Sequence, residues 1–180
     1  VIAPSTAADA KGLLLAAIAD PDPVMVIEPM RCYYVPAEVP EGYYEIPLGK
    51  AAVRREGKDV TLISYGWAAV EASAAAEALA ADGIDAEVID LRSLVPLDFA
   101  TCLASVEKTG RAVIAHAAVE FGGFGAELAA KLSEELHGKL KAPIKRVGGT
   151  YTPVPFTPSL ESLHFLTADR IKDVAKQIAG

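Results

Sequence analysis

The sequence predicts a three-layer α/β/α domain on a mostly parallel sheet, preceded by a strand–helix–strand unit too small to bury its own core. Three observations carry this reading. From about Lys58 to Gly180, short β-branched runs alternate with helical stretches. Helix start and stop residues fall between them: Gly83, Asp98, Gly110 and Thr167. Pro29, Pro36, Pro40 and Pro47 interrupt the segment between this region and the first 28 residues.

Val1 and Ile2 read as the end of a buried strand. Ser5 or Thr6 caps a helix, and Thr6 with Asp9 has capping-box spacing. The helix continues through Leu13, Leu14, Leu15 and Ile18, apolar on more than one face, until Asp20-Pro21-Asp22-Pro23 stops it. Val24 to Ile27 then reads as a short buried strand. Residues 29–57 form a connector. Tyr33, Tyr34, Tyr43 and Tyr44 make it adhesive, so it should lie across a surface rather than swing free.

In residues 58–180, Val60–Ser64 is the first strand. A helix over Trp67–Ala81 follows, with small side chains on nearly every face, and Gly83 ends it. Ala86–Asp90 is the second strand. Asp98 caps a helix that runs to Lys108 and stops at Gly110. Arg111–His116 is the third strand, Gly125–His137 a helix, and Ile144–Val147 the fourth strand. Thr167 caps a last helix ending near Ile178.

Composition narrows the function. The net charge is −7 with acids and bases interspersed, so no surface for nucleic acid or anionic membrane is indicated. The densest basic stretch, Lys139, Lys141, Lys145 and Arg146, reads as a solvated loop and strand end. No apolar run reaches the roughly 18 residues of a membrane span, and no secretory leader is visible. The chain begins without Met, as a fragment or processed product would. Cys32 and Cys102 lack metal or redox spacing, which fits a reducing, cytoplasmic compartment. Cys102 lies mid-helix among apolar neighbours and reads as core.

Three patterns invite a chemical reading. Gly122-Gly123-Phe124-Gly125 between a strand and a helix could offer backbone N–H groups to a phosphate, or be a tight turn. It is not GxGxxG, and no P-loop Lys follows. His116 ends a strand, with Glu120 near enough in sequence to pair with it; a structural or interface histidine is the favoured reading. His137 and His164 lack ligand spacing. Asp20 and Asp22 at a helix end, beside free carbonyls, could hold a hard cation or simply stop the helix.

Five ordered phrases carry a family resemblance. They are VIAPSTAADAKGLLLAAIAD (1–20), PLGKAAVRREGKDVTLISYG (47–66), VIDLRSLVPLDF (88–99), KTGRAVIAHAAVEFGGFGAEL (108–128) and KAPIKRVGGTYTPVPF (141–156). Together they resemble the carboxyl-terminal half of the beta subunit of thiamine-diphosphate-dependent 2-oxo acid dehydrogenases: pyruvate, branched-chain 2-oxo acid or acetoin. More distantly they are similar to transketolases.

The resemblance implies that residues 1–28 end a pyrimidine-binding domain, and that residues 58–180 form a transketolase C-terminal-like domain. It implies thiamine diphosphate and magnesium in the intact enzyme, with the activating carboxylate upstream, and so assigns no catalytic or cofactor-binding residue here. By the matching motif, Ala17, Asp20 and Asp22 would be ligands of a potassium ion, with Asp22 standing where the family usually has Asn. Implied partners are an alpha subunit, a second beta subunit and the dihydrolipoyl acyltransferase core. The implied location is cytoplasmic, or the mitochondrial matrix in a eukaryote. The family's His-Glu is His116-Ala117 here, and its Tyr-Arg is Tyr33-Tyr34. Rival readings are a stand-alone dimerisation module, a transketolase-like enzyme subunit, and a nucleotide-binding domain using Gly122 to Gly125.

Overall fold

The computed structural model describes residues 1–179; Gly180, the last residue of the expected domain, lies outside the described residues. Helix α1 spans Ala7–Ala19, and the Thr6 hydroxyl accepts the Asp9 amide as expected. A 3-10 helix, Met30–Tyr34, follows. Then come β1 (Ala52–Arg55), β2 (Val60–Ser64), α2 (Trp67–Ala81), β3 (Ala86–Asp90), α3 (Phe99–Thr109) and β4 (Ala112–Val119). Helix α4 (Phe124–Glu135), β5 (Lys145–Gly149), α5 (Pro158–His164) and α6 (Ala168–Ala179) complete the order.

The sheet runs β1-β3-β2-β4-β5. Its strands are parallel except β1, which pairs antiparallel with β3. On one face, Val60, Leu62, Val88, Val113 and Val147 pack under α2 and α6. On the other, Ile63, Ile89 and Ile114 pack under α3 and α4. Three layers result, because every central strand is apolar on both sides. Helix α2 lies close to the sheet because Ala68, Ala72, Ala75 and Ala76, all fully buried, present only methyl groups. Thr61 sits under α3, where its hydroxyl meets those of Ser105 (2.9 Å) and Thr109 (2.8 Å), so a polar group enters the core satisfied. Asp98 caps α3 through the Thr101 amide, and Gly110 closes it at φ 74°.

Three features differ from the expectation. Val24–Ile27 is not a buried strand: Ile2 makes a single parallel bridge with Val26, and Met25 and Ile27 are exposed. A strand forms only where a neighbour offers a ladder, and here one residue offers it. Strand β1 lies inside the expected connector. Its AVRR sequence has no buried alternation, and it forms by pairing with the free edge of β3. Helix α5 follows Thr157 with Pro158 in its first turn; it is too short to show a period in the sequence. Helix α1 buries Gly12, Leu13 and Ala16 but leaves Leu14 and Ile18 exposed, so only one of its apolar faces is covered.

Candidate functional site

The expected cation ligands lie together at the end of α1. Asp20 caps the helix: its amide donates to the Ala16 carbonyl (3.0 Å), and its Oδ1 accepts the Asp22 amide (2.9 Å). Pro21 and Pro23 have no N–H, so the last-turn carbonyls from Ala17 onward lack the usual helical partners. Two carboxylates at the negative end of the helix dipole and open carbonyls make a hard-cation donor chemistry. Among the described residues no three His, Cys, Asp or Glu side chains cluster as a metal site, so this donor set would need further oxygens.

An ion network that the sequence reading missed joins this unit to the sheet. Asp90 ends β3 with no exposure, and its Oδ2 accepts from Ser5 Oγ and from Arg54 Nη2, the latter at 2.8 Å. Arg54 also pairs with Asp9 of α1. Arg92 reaches the other Asp9 oxygen at 3.3 Å and donates to the carbonyls of Lys50 (3.0 Å) and Ala51 (3.1 Å). Arg92 holds φ 56°, a left-handed conformation that a side chain seldom adopts, and these bonds fix it there. Burial, reinforced by the nearby Arg54 charge, pulls its guanidinium below the ordinary arginine range. Asp9, Arg54 and the Asp90–Arg92 pair are far apart in sequence and gave no spacing signal; the fold alone gathers them.

His116 occupies the position that α/β topology favours for ligands. Beside β2 and β4 the connections leave in opposite directions, and ligands usually bind in such a crevice. Here the crevice is filled. The His116 ring is fully buried, stacks on Tyr65 at 6.2 Å, and Tyr65 meets Phe124 edge-on at 6.0 Å. Its Nδ1 is 2.9 Å from the Ala118 carbonyl, and its Nε2 has no protein partner among the described residues. Burial lowers its pKa, only partly opposed by the Ala118 contact. Glu120 does not bond to it; Glu120 Oε1 accepts the Gly148 amide at 3.1 Å.

This packing accounts for two of the glycines at 122–125. A Cβ on Gly123 would collide with the Val119 carbonyl and lie 2.7 Å from His116 Cε1, and one on Gly125 would lie 2.8 Å from His116 Cδ2 and Nε2. These glycines admit an imidazole, which displaces the phosphate-cradle reading. Gly122, at φ 67°, makes the turn. Cys102 lies in the core, and burial pushes its thiol up to about 12, so it is no nucleophile at neutral pH. The basic stretch disperses: Lys139 pairs with Glu107, and Lys141 donates to the Thr109 carbonyl at 3.0 Å.

Several clefts are open among the described residues. One, of about 320 Å³, lies between the start of α1 and the 3-10 helix, lined by Ser5, Thr6, Lys11, Leu14, Cys32 and Tyr33 among others. Another, of about 460 Å³, lies beyond the carboxyl ends of β4 and β5. No helix among the described residues is long and apolar enough to cross a membrane.

Residues 49–171 match the family described as transketolase, C-terminal domain. The chain is 45% identical over 177 residues to the acetoin:2,6-dichlorophenolindophenol oxidoreductase subunit beta of Cupriavidus necator, covering 98% of this chain and 52% of that protein. It is 50% identical over 158 residues to the pyruvate dehydrogenase E1 component subunit beta of Staphylococcus epidermidis, covering 87% of this chain and 49% of that one. It is 47% identical over 171 residues to the 2-oxoisovalerate dehydrogenase subunit beta of Pseudomonas aeruginosa, covering 86% and 48%. A solved structure, "Split gene transketolase, inactive beta4 tetramer", superposes with a TM-score of 0.77 at 28% identity, over 99% of this chain and 57% of its own. The chain thus spans about half the length of the curated relatives it matches. A parallel sheet with one antiparallel edge, layered between helices and matched along most of its length, places the chain in the transketolase C-terminal domain family.

Proposed function

We propose that this chain is the carboxyl-terminal half of the beta subunit of a 2-oxo acid dehydrogenase, and that its residues assemble the enzyme rather than perform the chemistry. The intact protein would oxidatively decarboxylate a 2-oxo acid and pass the acyl group to a lipoyl arm. The observation that carries the reading is the 50% identity, over 87% of the chain, to the beta subunit of a pyruvate dehydrogenase E1 component. Residues 1–28 are the end of a pyrimidine-binding domain, 29–57 a connector, and 58–180 the transketolase C-terminal-like domain.

The geometry supports an assembly role. Ile18 on α1, Met25 in the segment after it, and Met30 and Tyr34 on the 3-10 helix are each more than half exposed, apolar side chains of the kind partners cover. The Asp9–Arg54–Asp90–Arg92 network fixes α1 to the sheet. The partners are an alpha subunit, a second beta subunit and the acyltransferase core, in a cytoplasmic enzyme. Thiamine diphosphate, when bound elsewhere in the assembly, supplies the electron sink. No residue of this chain is assigned to it, and magnesium belongs mainly to the alpha subunit. Ala17, through its carbonyl, with Asp20 and Asp22 would supply oxygens to a potassium ion, completed by groups beyond this chain.

The test is turnover. The chain alone, given thiamine diphosphate, magnesium and a 2-oxo acid, should show none, whereas the complete heterotetramer should reduce a lipoyl acceptor. Decarboxylation by the chain alone would overturn the reading. Crystals of the complete subunit soaked in a heavier monovalent cation should show density beside Asp20; a blank map there would remove the potassium assignment.

A further inference from the structure

The cleft beyond β4 and β5 is a candidate site with its own chemistry. We propose that it binds a mononucleotide, with the phosphate on Arg146 and Arg170 and the base against Phe121 and Tyr151.

Four observations lead there. First, the two guanidiniums are anchored but not neutralised. Arg146, on β5, donates from Nη1 to the Glu120 carbonyl at 2.7 Å. Arg170, on α6, donates to the carbonyls of Phe165 (3.2 Å) and Gly148 (2.9 Å). Among the described residues neither forms an ion pair, whereas Arg54, Arg55 and Arg92 all do. Backbone carbonyls orient an arginine head and leave its charge for a ligand, and its planar fork suits phosphate oxygens. Glu120, the acid in the lining, has one carboxylate oxygen committed to the Gly148 amide.

Second, the cleft has an aromatic wall in contact with solvent. Phe121 and Tyr151 are 75% and 72% exposed, with ring centroids 5.3 Å apart. Neighbouring exposed rings offer the flat apolar faces on which bases stack. Third, the volume of about 460 Å³ falls in the small-ligand class. Lys139 and Lys141 lie at the opposite end of these strands, against Glu107 and the Thr109 carbonyl, so they extend no basic track to the cleft as a polymer would need. Fourth, the cleft lies at the carboxyl ends of parallel strands, where α/β folds place ligands. The site is separate from Gly122 to Gly125, two of which are occupied by His116.

Calorimetric titration of the 180-residue chain with AMP, with adenosine and inorganic phosphate as separate arms, tests this. AMP should bind saturably and weaken as salt rises. Arg146→Gln and Arg170→Gln should each weaken it by roughly tenfold or more. Tyr151→Ala and Phe121→Ala, at exposed positions where folding is little affected, should weaken AMP while leaving phosphate competition unchanged. Absence of saturable AMP binding overturns the proposal, as does binding that the arginine substitutions leave unmoved. If the aromatic substitutions change only the oligomeric state on size exclusion, the rings are a subunit contact and the proposal fails. The readout is binding by the chain alone, so it is independent of the turnover that tests the assembly reading.

Discussion

Gly125→Ala tests whether the glycines at 122–125 are there for the imidazole. The added Cβ would lie 2.8 Å from His116 Cδ2 and Nε2 and 3.0 Å from Ile114 Cγ2. Ordinary contact begins near 3.4 Å, so the ring must retreat by about 0.6 Å. It has little room to do so, because Tyr65 is stacked on it. Overpacking of this kind costs about 1–3 kcal/mol. Alanine's better helix propensity returns up to about 1 kcal/mol. A net loss of up to about 2 kcal/mol should lower Tm by up to roughly 8 °C for a chain of this size. In a His116→Ala background the ring contact is gone and only the 3.0 Å approach to Ile114 Cγ2 remains, so the same glycine substitution should cost clearly less. The assay is urea unfolding of the four proteins of this cycle, comparing midpoints at constant m. Equal cost in both backgrounds would refute the reasoning: the glycine would then be kept for some other reason, such as a backbone facing a ligand.

Three further outcomes are expected. Asp90→Ala leaves Arg54 and Ser5 facing an emptied buried position; it should cost about 3–5 kcal/mol and speed amide exchange in α1, as mass spectrometry would show. His116 is held below the ordinary value of 6.5 by burial. Its unfolded form therefore binds the proton first, so its contribution is full above that value and is lost as pH falls through and below it. Unfolding titrations from pH 7.5 to 5 should show this slope in the wild type and a shallower one in His116→Gln; parallel slopes would exclude the histidine as the cause. Cys102, with its thiol near 12 and no exposure, should resist iodoacetamide at pH 8 until the chain unfolds, while the half-buried Cys32 labels first in the native state.

Much of the fold was legible because it is written locally. β2 and β3 coincide with the apolar runs Val60–Ser64 and Ala86–Asp90, and α2 with Trp67–Ala81. Asp98 and Gly110 bracket α3 because a cap needs only its own helix end. Thr6 caps α1, and Asp20 ends it. The five ordered phrases were enough to indicate the family, since they carry those local patterns in a fixed order. The three-layer class followed from strands alternating with helices.

What the sequence by itself determined, then, is the family and the bounds of the elements with strong local signals, β2, α2, β3 and α3. Tertiary structure decided the rest, because it depends on neighbours distant along the chain. β1 exists because β3 has a free edge, and Val24–Ile27 stays a single bridge because Ile2 is its one partner. The same glycines read as a turn or as a phosphate cradle until the fold set the His116 ring against them. Asp9, Arg54, Asp90 and Arg92 carry no mutual signal in sequence, yet the fold brings them into one buried network. Propensities and caps act over a few residues; burial and charge pairing act through space, and only the folded chain fixes which charges and rings meet.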